Sequence, residues 1–309
     1  MTNNKTTKIT FSQINELAAE PAAFVESCTA EYRSKVSAVA DEIIKDKSRK
    51  IIMLAGPSSS GKTTTAAMLS AFISKSGGRA YTVSLDDFYF PRSVGYPLDE
   101  NGKPDYECVE ALDLKMIHRC FGELQKNGKS RLPVFDFQSG ERIENAKEIT
   151  LEENDFIIVE GLHALNPAIT GNLDSSSLFR IYVSVSSRVY DENGEVLLSK
   201  RNLRFVRRMV RDYRFRSTSV ERTFEIWESV MRGEDKYLFS FEPLADIKIN
   251  SFHPCEPCVL AKTAISLLKE VESEECKEKA SAMLKKLELF KNTDYSILPE
   301  DSLLREFTG

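Results

Sequence analysis

The run Ile51-Ile-Met-Leu-Ala55 passes without a break into Gly56-Pro-Ser-Ser-Ser-Gly61-Lys62-Thr63, and Ala66, Leu69, Phe72 and Ile73 then recur at helical spacing as far as Gly77-Gly78. No other feature restricts the chain as much. A short, wholly apolar run bounded by glycine fits a buried strand of a parallel sheet, and the paired glycines stop a helix. Strand, glycine loop and helix in that order aim loop amides and a helix N-terminus at phosphate oxygens, with glycines letting the backbone come close. Gly56, Ser58, Ser59, Ser60, Gly61, Lys62, Thr63 and Thr64 are therefore the expected contacts of a nucleoside triphosphate. Lys62 would bring positive charge to the β and γ phosphates, and Thr63 a hydroxyl to Mg²⁺. The competing reading, a chance match on a Gly/Ser-rich turn, is weakened by the flanking strand and helix.

Further strands are expected at Ala80–Leu85, Phe156–Val159, Leu178–Val185 and Ala245–Asn250, with helical segments between most of them. That alternation predicts an α/β fold with a doubly wound parallel sheet of about five strands. Helical spacing over residues 11–46 predicts an amino-terminal extension spanning 1–48. The core is expected over 49–252, with four helices in pairs at 197–235 and 257–291, the latter within a carboxy-terminal region 253–309 packed on the core. An insertion at 88–154 is too long for a plain connection. Within it, Arg131–Phe137 and Glu141–Thr150 flank Gln138-Ser-Gly140, so a hairpin over the sheet is expected to bind substrate.

The chain has 309 residues, 41% hydrophobic and 29% charged, and a net charge of −5. Nothing in that balance favours nucleic acid or an anionic membrane as partner. No signal peptide and no membrane-length apolar run is read, which places the protein in the cytoplasm. Six scattered cysteines are expected to be reduced thiols. His253-Pro-Cys255-Glu-Pro-Cys258 could hold half of a zinc site but lacks a second pair, so an ordinary loop leading into a helix is the preferred reading. A homo-oligomer stays open.

Phosphoryl transfer needs a carboxylate near the metal, and Glu160, at the end of the apolar run Phe156-Ile-Ile-Val159, is the candidate. Its bland alternative is an ordinary strand-end glutamate. Asp86, in Ser84-Leu-Asp-Asp-Phe-Tyr89, would face the γ phosphate across the strand ends as the base for the attacking hydroxyl. Its neighbour Asp87 reads better as a turn cap. Between Lys200 and Arg216 there are seven arginines. Arg204, Arg207, Arg208 and Arg211 share one helix face, while Leu203, Val206, Val210 and Tyr213 cover the other. A kinase lid closing on polyphosphate would offset the repulsion among them; solvated charge is the alternative.

The segments GPSSSGKTTT, SLDDFYFPR, LPVFDF, IIVEGLHAL and RFVRRMVRD together resemble the uridine kinase and phosphoribulokinase family from about Lys50 to Ser251. The tail SLLREF is similar to that of a bacterial uridine kinase-like branch whose members often carry a threonyl-tRNA-synthetase-like region, for which too few residues precede Gly56. The resemblance implies ATP and Mg²⁺ as cofactors and a small-molecule nucleoside as substrate. It implies Asp86 as the catalytic aspartate, with Lys62 and Arg211 beside it. Tyr89, Glu107, Phe135, Phe137 and Arg216 would contact the substrate, Glu160 and Thr63 the metal, and Arg207 the nucleotide. Phe135 and Gly140 depart from the tyrosine and histidine of the uridine-cytidine kinase pattern, which removes two hydrogen-bonding groups from the base site. The expected reaction is 5′-phosphorylation of uridine or cytidine. A kinase of another polyol or sugar phosphate is the second reading, with Arg92 and the basic lid serving a phosphorylated substrate. A non-catalytic binding module or switch is the third; no Asn-Lys-x-Asp guanine-reading motif occurs.

Overall fold

The computed structural model describes residues 8–309, so the first seven residues of the expected amino-terminal extension lie outside it. Strand β1 (Lys8–Thr10) leads into α1 (Phe11–Leu17), which is capped by a reciprocal Thr10–Gln13 box, and then α2 (Pro21–Lys45). The single helical segment expected here is two helices, because Pro21 is seated at the first turn of α2, where its missing N–H costs nothing. Strand β2 (Ile51–Ala55), the phosphate loop and α3 (Lys62–Lys75) follow, then β3 (Arg79–Ser84).

The insertion opens with short 3₁₀ turns and contains α4 (Leu114–Asn127), which the sequence reading passed over. Asp113 caps its start and left-handed Gly128 ends it, while Ile117, Cys120, Phe121 and Leu124 form its buried stripe. Next come the antiparallel pair β4 (Lys129–Asp136) and β5 (Glu141–Thr150), the expected hairpin. Beyond them lie β6 (Asp155–Gly161), α5 (Pro167–Thr170), β7 (Leu178–Ser184), β8 (Arg188–Tyr190) and β9 (Val196–Leu198). The arginine helix is α6 (Lys200–Arg216), followed by α7 (Val220–Tyr237) and β10 (Ile247–Asn250). Helices α8 (Glu256–Lys269), α9 (Glu274–Leu287) and α10 (Arg305–Thr308) complete the described chain.

The central sheet has five parallel strands in the order β10-β7-β2-β6-β3. All five residues of β2 are buried. Ile52 and Leu54 pack toward α2, α3, α6 and α8, while Ile51, Met53 and Ala55 pack toward α4 and the insertion. Alternate side chains of one strand thus feed two cores, which explains the uninterrupted apolar run. A separate small sheet, β1-β8-β9, was not foreseen; its three-residue strands carry too little pattern to read. No described helix is long and apolar enough to cross a membrane.

Candidate active site

Because β2, β3 and β6 are parallel neighbours, the loops after them meet at one edge of the sheet, where ligands of open α/β sheets bind. A cleft of about 420 Å³ opens there. From β2 come Ser58, Ser59, Ser60, Gly61, Lys62 and Thr63; from β3, Asp86 and Tyr89; from β6, Glu160. Glu107, Phe135 and Phe137 of the insertion and Arg208, Arg211 and Arg216 around the end of α6 close the sides.

The phosphate loop turns at Gly61, whose φ of +89° suits glycine, and α3 begins at the next residue. Lys62 Nζ donates to the carbonyls of Gly56 (2.9 Å) and Pro57 (3.2 Å), so its charge lies along the loop. Thr64 is engaged by Glu306, which accepts from its N–H (3.3 Å) and its hydroxyl (2.6 Å).

Asp86 stands in the 3₁₀ turn Leu85–Phe88 at the end of β3, its N–H donating to Ser84 Oγ. Enclosure by the cleft walls raises its carboxyl above the ordinary range; Lys62 opposes that shift, Asp87 adds to it and Arg216 opposes it. Asp87 turns away and accepts from Phe135 N–H at 3.2 Å, tying the turn to the hairpin. Glu160 accepts from Ser84 Oγ at 3.0 Å and is raised by burial, with Lys62 lowering it and Asp86 raising it again. Glu107 is pushed up to about 7 by burial, against the pull of Arg208. Its backbone carbonyl accepts from Nε2 of buried His163 at 2.9 Å, which assigns the ring proton to that nitrogen; burial lowers the histidine to about 4 and keeps it neutral.

The side of the cleft formed by the insertion is aromatic. Tyr89 lies 5.9 Å from Phe135 and 6.4 Å from Phe137, centroid to centroid, and the wall continues through Tyr96 and Tyr106. Gly140, at φ +74°, leaves the hairpin open where a Cβ would come 2.3 Å from Arg92 Cδ. The Arg92 stem fills that space, its backbone N–H donating to Gly140 O (2.9 Å) and its guanidinium to Phe137 O (2.9 Å). Where the sequence comparison suggested a lost donor, a guanidinium from another segment lines the cleft.

The arginine helix requires a correction. Arg204 and Arg207 do not reach the cleft; both are buried and support the loop from beneath. Arg204 pairs with Glu234 at 2.7 Å, and the pair grips Ser58 through its carbonyl (3.0 Å) and N–H (2.8 Å). Arg207, expected at the nucleotide, pairs with buried Glu256 and donates to the carbonyls of Ser59 (3.3 Å) and Ser251 (2.8 Å). The physical reason is charge pairing from distant segments, since a buried guanidinium needs a carboxylate partner. Arg208, Arg211 and Arg216 do face the cleft and share one buried acid, Asp212, at 3.2, 2.7 and 3.5 Å. Tyr213, assigned to the packed face, is half exposed. Cys255 and Cys258 are buried at the start of α8, and no group of three or more His, Cys, Asp or Glu suited to a metal ion occurs among the described residues.

A cleft that brings a phosphate loop, two strand-end acids and several cations to one point is equipped to move a phosphoryl group to a hydroxyl, and the class it defines is the P-loop kinase. Comparison with known proteins narrows this. Residues 51–255 match the Phosphoribulokinase / Uridine kinase family, well over half of the chain, and the protein belongs to that family of phosphotransferases with alcohol acceptors. A uridine kinase of Macrococcus caseolyticus is 29% identical over 201 residues, covering 64% of this chain and 86% of that protein. One of Staphylococcus aureus is 28% identical over 208 residues, covering 66% and 88%. Among solved structures, a protein of Silicibacter sp. TM1040 provisionally described as a fructose transport system kinase superimposes with a TM-score of 0.50 at 19% identity, covering 69% of this chain and 98% of that one. That likeness concerns the fold.

Proposed function

We propose that the protein transfers the γ phosphate of ATP to the 5′-hydroxyl of a nucleoside, uridine first and cytidine second. The observation that carries this reading is the meeting of Lys62, Asp86 and Glu160 in one cleft with an aromatic wall at Tyr89, Phe135 and Phe137. Flat rings stack a base. Family membership supports ATP as donor. Thr63 and Glu160 offer hard oxygen ligands of the kind Mg²⁺ takes alongside phosphates and water, and the raising of Glu160 by burial, with Asp86 adding to it, fits a site that a cation would relieve. Bound there, Mg²⁺ would neutralise charge on the β and γ oxygens.

In this reading Asp86 accepts the proton of the attacking hydroxyl, and its raised pKa brings it nearer the working range of a base. Lys62 swings from the loop carbonyls to the β and γ phosphates. Arg211 and Arg216 cover the transferred group, and Glu107 holds the sugar hydroxyls. The protein acts in the cytoplasm on a small molecule.

One observation favours a second reading. Arg92 offers only donors to the acceptor side, which suits a phosphorylated sugar as well as a base oxygen. Both are decided by measuring phosphate transfer from ATP over a panel of nucleosides, polyols and sugar phosphates, with Asp86→Asn as control. Uridine and cytidine turned over by the wild type and not by the control is the expected result. Turnover of sugar phosphates alone gives the second reading, and tight ATP binding with no acceptor phosphorylated would leave a binding module.

A further inference from the structure

Residues 302–309 lie against the phosphate loop, although they are far from it in sequence and outside the segment that matches the family. Leu303 closes on Gly61, where an added Cβ would come 2.5 Å from Leu303 Cδ1. Phe307 is fully buried, with the Arg207 guanidinium 5.2 Å from its ring centroid. These two anchors hold Glu306 between them, at the wall of the cleft. Its Oε2 accepts from both the N–H and the hydroxyl of Thr64.

Thr64 is the third residue of α3. Its N–H is one of the four that a helix leaves unpaired at its start, where the helix dipole favours an anion. The phosphates of a bound nucleotide need the same amides. A carboxylate and a phosphate cannot both take this N–H without bringing two negative charges together. We propose that Glu306 is a residue of the donor site: it holds the Thr64 amide and hydroxyl as an internal anion, and a nucleotide phosphate must displace it to bind. The proposal rests on reading the loop as a triphosphate site.

Displacement does not strand the carboxylate. Arg216 lines the same cleft as Glu306, is largely exposed, and is held to Asp212 only at 3.5 Å. In this proposal Arg216 is the partner that the displaced carboxylate would take on the lid side. Nucleotide arrival would pass its charge from the helix start to the lid.

The test compares ADP affinity by titration calorimetry for the wild type, Glu306→Ala and Glu306→Gln. Both variants are expected to bind ADP more tightly, the alanine by about three- to thirtyfold, the range that one anion at a helix start commands. Equal or weaker binding by both variants would overturn the proposal while leaving the triphosphate site standing. If none of the three proteins binds ADP, both the proposal and the reading of the loop are overturned. Should the alanine variant fail to fold, the glutamine, which keeps shape and removes charge, carries the same comparison.

Discussion

Arg204 and Glu234 meet through two parallel contacts of 2.7 Å, both side chains almost wholly buried, and together they hold the Ser58 peptide of the phosphate loop by both its N–H and its carbonyl. The loop is thus supported by ion pairs from helices α6 and α7 as well as by its own turns. Removing Glu234 leaves a buried, unpaired guanidinium, so Glu234→Ala is expected to lose about 3–5 kcal/mol of stability in urea denaturation. Replacing both partners by apolar residues of similar size should recover most of that loss, but not nucleotide affinity, because Ser58 is then unsupported. A double variant that binds ADP as well as the wild type would show that the pair serves stability alone.

Glu107 titrates at about 7 in the folded protein against 4.5 for an ordinary glutamate, because burial disfavours its charge. The folded state therefore binds more protons than the unfolded one between those values, and this group's contribution to stability is lost as pH rises through that window. Glu107→Gln should remove that component from the pH dependence of denaturation. If the carboxylate holds substrate hydroxyls, kcat/KM for the acceptor will rise through about pH 7 in the wild type. A flat wild-type profile would separate Glu107 from acceptor binding.

Gly140→Ala places a methyl group 2.3 Å from the Arg92 stem at a backbone angle of +74°. The strain of that conformation costs about 1–2 kcal/mol, and Arg92 must leave the Phe137 carbonyl. Steady-state kinetics should show a raised KM for the acceptor with ADP affinity unchanged. Equal loss on both sides of the cleft would mean that the hairpin turn supports the whole site.

Asp212 gathers Arg208, Arg211 and Arg216 from the last turns of α6. Without its charge the guanidinia repel one another. Asp212→Asn is expected to lower kcat by up to about 10²-fold, the scale of a misplaced catalytic group, with acceptor KM changed less. The check is a full kcat and KM determination beside a melting curve that establishes folding.

The sheet was legible because its strands are buried on both faces and carry little but apolar residues, as Ile51–Ala55 and Phe156–Val159 show. The phosphate loop, Asp86 and Glu160 were legible for a related reason: a strand end fixes where the next side chain stands. The arginine helix was only half legible. Its spacing puts Arg204 and Arg207 on the same face as Arg208 and Arg211, but which of them face the cleft depends on Glu234 and Glu256, and no local pattern announces such partners. Helix α4 was missed although Asp113, the stripe from Ile117 to Leu124 and Gly128 spell out its cap, face and stop. Arg92 at Gly140 and Glu306 at Thr64 are contacts between distant segments, 242 residues apart in the second case, and one sequence carries no signal for them.

That last separation also bears on how the molecule comes into being. A contact spanning 242 residues has a large loop-closure cost and forms late. At about 5–20 residues per second of synthesis, the phosphate loop leaves the ribosome roughly 12–48 s before the glutamate that will cover its amide. A nascent chain whose core has already collapsed would thus meet cellular nucleotide before its own tail arrives, and the first anion to seat the loop during folding need not be the protein's own.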